Sequence, residues 1–181
     1  MALRVVGAAL FIAAALCFAH PAHAQGHDSE KEEVGRLRIG FNANAGFATG
    51  RQRSGPVVGS SLRVGWQLDR DSAFYGQVSP LLWKPKKDWL LGGQLALLYS
   101  RSLTDVVELA AGPSVDAAAD KARPIQGLNF GFHFRGALHF GGRDEETGRR
   151  RGFSFGVDVH PTIVEGGWIT FTTLGLGYDW Y

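Results

Sequence analysis

The feature that most constrains this chain is a period of two, held far longer than a soluble strand needs. Between residues 125 and 140, Leu128, Phe130, Phe132, Phe134, Leu138 and Phe140 alternate with Asn129, Gly131, His133, Arg135, Ala137 and His139. Successive side chains of a strand point to opposite faces, so this run has one bulky apolar face and one small or polar face. The same reading places strands near 36–48, 58–69, 73–83, 88–100, 105–115, 152–163 and 168–180. In the first, Leu37, Ile39, Phe41, Ala43, Ala45 and Phe47 oppose Arg38, Asn42, Asn44 and two glycines. In the second, Val58, Leu62, Val64, Trp66 and Leu68 oppose Gly59, Ser61, Arg63, Gly65 and Gln67. Globular strands average about five or six residues and a tilted bilayer-crossing strand needs about 9–11, so these eight, at about 11–16, read as crossing strands.

Soluble barrels such as lipocalins also alternate, and the polar face separates the two classes. A face turned to water carries Lys, Glu and Asp. Here it carries mostly Gly, Ala, Ser, Asn and Gln, while charges crowd the connections at Asp69–Asp71, Lys84–Asp88, Asp116–Arg123 and Arg143–Arg151. Small polar residues suit the interior of a narrow barrel whose bulky face meets lipid. Aromatics support this: Phe47, Trp83, Trp89 and Trp168 gather at one set of strand ends, and Trp66, Phe74, Tyr99, Phe140, Phe153, Tyr178 and Trp180 at the other. Two such belts are what interfacial anchoring requires. Two irregularities are expected. Pro80, Pro113 and Pro161 fall inside strands, where bulges or early pair ends accommodate a missing N–H. Ile169 and Phe171 are out of phase with Leu174, Leu176, Tyr178 and Trp180, which predicts a bulge near Thr172 or Thr173.

The amino terminus has Arg4, an apolar run from Val5 to Ala19 and Ala22-His23-Ala24. That pattern reads as a secretory signal cut after Ala24. The organisation is therefore 1–24 signal peptide, 25–35 flexible periplasmic lead-in and 36–181 β-barrel. Cleavage removes Cys17, the only cysteine, and leaves a formal charge of +1. Near-neutrality gives no support to nucleic-acid binding.

Signal, alternating strands and an aromatic carboxy-terminal residue resemble the small eight-stranded outer-membrane barrels of Gram-negative bacteria, of the OmpA transmembrane-domain and OmpX type. The resemblance implies an all-β, antiparallel transmembrane barrel in an up-and-down meander, located in the bacterial outer membrane. It also implies contact with outer-membrane lipid and lipopolysaccharide, and a last strand read by the barrel-assembly machinery. Tyr178, Trp180 and Tyr181 fall at that signal, with a departure from the pattern: the apolar phase runs through Tyr178 and Trp180, not through the terminal Tyr181. The fold hosts anchors, adhesins and a few lipid-modifying enzymes, so it does not fix function.

A turn centred near residues 146–147 sets Arg135 opposite Asp158, His133 opposite His160 and His139 opposite Ser154. With Glu108 alongside His133 or Arg135, the reading is an interior polar cluster of Glu108, His133, Arg135, Asp158 and His160, serving as a plug whose charges need partners. His133 and His139 are roughly 20 Å apart along a strand and cannot share an ion. No metal site, cofactor or catalytic set is expected. At the outer rim, Arg51, Arg53, Lys84, Lys86, Lys87, Lys121 and Arg123 offer charge to lipopolysaccharide phosphates. The resulting expectation is a structural or interaction barrel without a wide, porin-like pore. The alternatives are a lipid-modifying enzyme acting on lipid A acyl chains and a soluble secreted lipocalin-like binder.

Overall fold

Long strands joined by short turns leave two unpaired edges unless the first meets the last, and this chain closes. The computed structural model describes residues 36–50, 54–85, 87–119, 128–142, 144, 149–164 and 167–181. Segments 1–24 and 25–35, and the rim residues Arg51, Arg53, Lys86, Lys121 and Arg123, lie outside them. The strands are β1 (Arg36–Gly50), β2 (Gly55–Gln67), β3 (Ser72–Trp83), β4 (Leu90–Ser102), β5 (Val107–Ala119), β6 (Leu128–Phe140), β7 (Arg151–Val164) and β8 (Gly167–Trp180). Each pairs antiparallel with the next, and β1 pairs with β8 to seal the barrel. Closure leaves the sheet no free edge, the condition for a sheet in hydrocarbon.

Amphipathy is inverted. Phe153, Leu176 and Phe130 are about two-thirds exposed or more (70%, 68% and 67%), while Arg38, Arg63, Glu108, His133 and His160 are at most 2% exposed. The bulky phase therefore faces out, and the polar phase fills the lumen toward the end that holds the chain termini. The registers run on without an offset. On β8, Thr172 stands opposite Phe47 on one side and Val159 on the other, and neither ladder shifts there. The bulge expected near Thr172 or Thr173 is absent. Ile169 and Phe171 instead keep the inward phase, because the lumen at the end opposite the chain termini is apolar. Ala48, Val57, Leu81, Trp83 and Ile169 form that plug, with Leu90, Val164 and Phe171 against it.

Trp83 corrects a second expectation. It stands at a strand end but is 4% exposed, with its ring edge-on to Phe171 at 5.5 Å. It belongs to the plug, while Trp66, Trp89, Trp168 and Trp180 are exposed and form the belts.

The prolines create no bulges. Pairing of β3 with β2 skips Ser60/Pro80 and Ser61/Ser79, that of β5 with β4 skips Leu97/Pro113 and Leu98/Gly112, and that of β7 with β6 skips Phe132/Pro161 and His133/His160; beyond each gap the register resumes unchanged. Each proline keeps its pairing on the other side, opposite Gly93, Phe132 and Thr170 respectively. A missing N–H thus removes pairing on one flank only.

Tryptophan burial makes this testable. In lipid with brominated acyl chains, a variant retaining only Trp83 should keep its fluorescence, and one retaining only Trp180 should be quenched. Equal quenching of both would place Trp83 on the lipid face.

Candidate functional site

The inward phase collects the charged side chains into two layers. Nearer the chain termini, Arg38 of β1 reaches across the lumen to Glu108 of β5, donating from Nη2 to Oε1 at 2.9 Å and Oε2 at 2.7 Å, and from Nη1 to the Ser100 Oγ at 3.2 Å. The Arg38 guanidinium lies 5.1 Å from the Tyr75 ring centre and 4.5 Å from that of Tyr181. Beside it Arg63 donates to Asp179 Oδ1 at 2.8 Å. His139 stands between the two carboxylates, 3.6 Å from Glu108 Oε2 and 3.6 Å from Asp179 Oδ2.

Local sequence explains the second of these pairs. Gly40 is the cross-strand partner of Arg63 on one side and of Asp179 on the other. The ion pair closes over Gly40, and a Cβ there would run into both side chains. Gly156 plays the same part for Arg135, whose guanidinium lies 2.7 Å from where a Cβ would stand.

The second layer is a chain of bonds across β5, β6 and β7. Arg135 and Asp158 are direct partners, and Arg135 Nη1 donates to Asp158 Oδ2 at 2.8 Å. His133 Nε2 lies 2.7 Å from Asp158 Oδ1, His133 Nδ1 lies 3.0 Å from His160 Nδ1, and His160 Nε2 lies 2.8 Å from Asp116 Oδ2. The Thr162 hydroxyl also donates to Asp116 Oδ2. A cavity of about 20 Å³ adjoins the histidines, lined among others by Asn44, Gln77, Ser79 and Gln94. That volume holds about one water.

Of the cluster expected from the sequence, His133, Arg135, Asp158 and His160 meet as one network. Glu108 does not join it: it stands opposite Ala137 on β6, and its partner is Arg38. Asp116, read above as part of an outer connection, is a buried member of the network, because β5 runs four residues further than its apolar pattern indicates. Arg38 and Arg63 carried a parity signal for the lumen but no signal for their partners, which come from strands far away in sequence. At the rim, Lys84 places its Nζ 5.7 Å from the Trp89 ring centre, and Lys87 is exposed.

Tyr178 and Trp180 face outward, and Arg151 lies 5.6 Å from the Trp180 ring centre. Tyr181 turns in: its backbone N–H and C=O bond to Arg150 at 3.0 and 2.8 Å, adding a rung beyond β8. Burial pushes its hydroxyl above the usual tyrosine range, and nearby Arg38 opposes that shift.

No family model matches the sequence, and a search of curated proteins finds no significant match. Solved structures do match in fold. Neisserial surface protein A (NspA) is similar with a TM-score of 0.62 at 11% identity, covering 82% of this chain and 99% of that one. The Yersinia pestis outer-membrane protein Ail in a phospholipid bilayer nanodisc is similar with a TM-score of 0.53 at 11% identity, covering 81% and 99%. Ail in complex with the heparin analogue sucrose octasulfate gives a TM-score of 0.51 at 10% identity, again over 81% and 99%. This chain has the fold of the small eight-stranded outer-membrane barrels.

Removing one partner of a buried pair leaves a charge without compensation, at about 3–5 kcal/mol. Arg135→Ala should lower stability on that scale, and adding Asp158→Asn should restore part of the loss. Adding Glu108→Gln should restore nothing, because Glu108 answers to Arg38. Denaturant unfolding of the single and double variants measures this, and rescue by Glu108→Gln would contradict the two-layer arrangement.

Proposed function

We propose that this protein is an outer-membrane β-barrel of structural or interaction type, closed to diffusion by its own side chains. The observation that carries this is the inverted amphipathy: a closed sheet with Phe, Leu and Trp outside and paired Arg, Asp, Glu and His within. An apolar exterior that encircles the barrel is far larger than the few hundred Å² a soluble monomer usually exposes. Fold likeness to NspA and Ail supports the outer-membrane placement. Eight strands give a lumen just wide enough for side chains to fill, and here they fill it with salt bridges and an apolar plug.

The partners proposed are outer-membrane lipid and lipopolysaccharide. Lys84 and Lys87 supply cations on the connection between β3 and β4, opposite the chain termini, suited to phosphate. The sequence adds Arg51 and Arg53 between β1 and β2, Lys86 between β3 and β4, and Lys121 and Arg123 between β5 and β6, outside the described residues. Ail, of the same fold, forms a complex with a sulfated sugar analogue, which is anion recognition of related chemistry. The barrel-assembly machinery is the proposed reader of the last strand.

Two experiments test the reading. The protein should fractionate with the outer membrane, migrate differently in detergent gels before and after boiling, and add no porin-sized conductance to a planar bilayer at neutral pH. Recovery in the soluble fraction with one mobility would leave the soluble binder instead. For the last strand, Trp180→Ala should reduce the amount of assembled, heat-modifiable protein more than deletion of Tyr181. The deletion should instead lower the unfolding temperature, since it removes the rung with Arg150 and uncovers Arg38. Loss of assembly on deleting Tyr181 alone would make the terminal residue the signal.

A further inference from the structure

The charged side chains of the strands keep the inward phase, with two exceptions. Arg101 of β4 stands in step with the exposed Leu95 and Leu97, and Arg151 of β7 in step with the exposed Phe153 and Val157. Both arginines fall at the end of the barrel that holds the chain termini. Arg101 is the cross-strand partner of Ser72, the first residue of β3, and Arg151 is that of Trp180, the last residue of β8. Their neighbours in the outward phase belong to the aromatic belt. Tyr99 stands opposite Phe74 two residues along from Arg101, and Phe153 stands opposite Tyr178 two residues along from Arg151.

The buried Arg38, Arg63 and Arg135 each hold a carboxylate at 2.7 to 2.8 Å. Among the described residues, neither outward arginine has a carboxylate partner. The Arg151 guanidinium instead lies 5.6 Å from the Trp180 ring centre. A guanidinium held by an indole keeps its in-plane N–H groups for another acceptor. Tyrosine and tryptophan seat at the headgroup level of a bilayer, and arginine stems lie along apolar surface with the charge held at that level. The abundant anion at that depth is the phosphodiester of a phospholipid, whose two free oxygens accept the parallel N–H bonds a guanidinium donates. Leu103 and Val106, just past β4, are exposed as well, so the wall around Arg101 is apolar up to its end.

We propose that Arg101 and Arg151 form two phospholipid sites, each binding the phosphodiester of one lipid in the leaflet next to the chain termini. The proposal rests on the outer-membrane reading and deepens it: the basic rim serves the leaflet opposite the termini, and these two arginines serve the other. β4 and β7 are three strands apart round the wall, roughly 14 Å at the spacing of paired strands, so one phosphate cannot reach both. Two separate lipids therefore hold the barrel's depth from two sides.

The test uses the full chain, with 15N-labelled arginine, folded in maltoside micelles that contain no phosphate. Phosphatidylglycerol is titrated in while the arginine Nε–H signals are followed, and Arg101→Gln and Arg151→Gln identify the two signals by their loss. Both signals should shift to saturation at one lipid each and show a coupling to 31P across the hydrogen bond. In native mass spectrometry each variant should hold one lipid fewer than the wild type. Diacylglycerol, which lacks the phosphate, and inorganic phosphate, which lacks the acyl chains, should leave both signals in place. Absence of a shift with phosphatidylglycerol would overturn the proposal, and so would an equal shift with diacylglycerol or with inorganic phosphate. A heat-modifiable barrel whose two signals stay put removes this proposal and leaves the outer-membrane reading standing, whereas a chain that never enters micelles removes both. Where a glutamine variant fails to fold, lysine at that position still deletes the arginine signal and identifies it.

Discussion

A charge inside an eight-stranded barrel has little water to retreat to, and that constraint organises the rest of the structure. Burying an ion without a partner is prohibitive, and a paired ion is tolerated only with its remaining bonds satisfied. The lumen therefore holds complementary sets. Arg38 and Arg63 face Glu108 and Asp179 in one layer, and Arg135 with the histidine pair faces Asp158 and Asp116 in the other. Arg38 and Glu108, 70 residues apart in sequence on β1 and β5, pair across the lumen and tie opposite walls together, while Arg63 and Asp179, 116 apart, join β2 to β8 over Gly40 of the β1 between them. Closure of the sheet and neutrality of its interior are one requirement, because a slip of one residue would turn the buried charges of a strand out to lipid and its apolar residues in.

Room for these pairs comes from residues that look inert. Glycine is usually a weakness in a strand, yet Gly40 is the only residue type that lets Arg63 and Asp179 close over it from both neighbouring strands. Gly156 gives the same clearance to Arg135. These two inward glycines are thus the counterpart of large inward cations: where the lumen takes the Arg63 or Arg135 guanidinium, a neighbouring strand yields its side chain.

The strands were legible because the period of two is local and survives without knowledge of partners. The β6–β7 register was legible too, since one turn fixes it, and Arg135 does stand opposite Asp158. What local reasoning missed is what depends on the lumen as a whole. Ile169, Phe171 and Trp83 looked like an interrupted phase and a belt residue because apolar side chains were assigned to lipid, whereas the lumen changes from polar to apolar along its length. Asp116 looked like loop charge because β5 ends in alanines with no bulky alternation to mark it. Glu108 had no sequence signal for Arg38, since β1 and β5 share no turn.

The apolar plug and the polar layers divide the work of filling the lumen. Trp83, Leu81 and Ile169 exclude water at one end, and Tyr181 with Arg150 covers the other, so the salt bridges between them lie in a low-dielectric space. Pairing is strong there and mispairing is severe. The prolines fit the same logic. Each removes backbone pairing on one flank, and at Pro161 the loss falls beside His133 and His160, whose rings reconnect β6 and β7 through a side-chain bond.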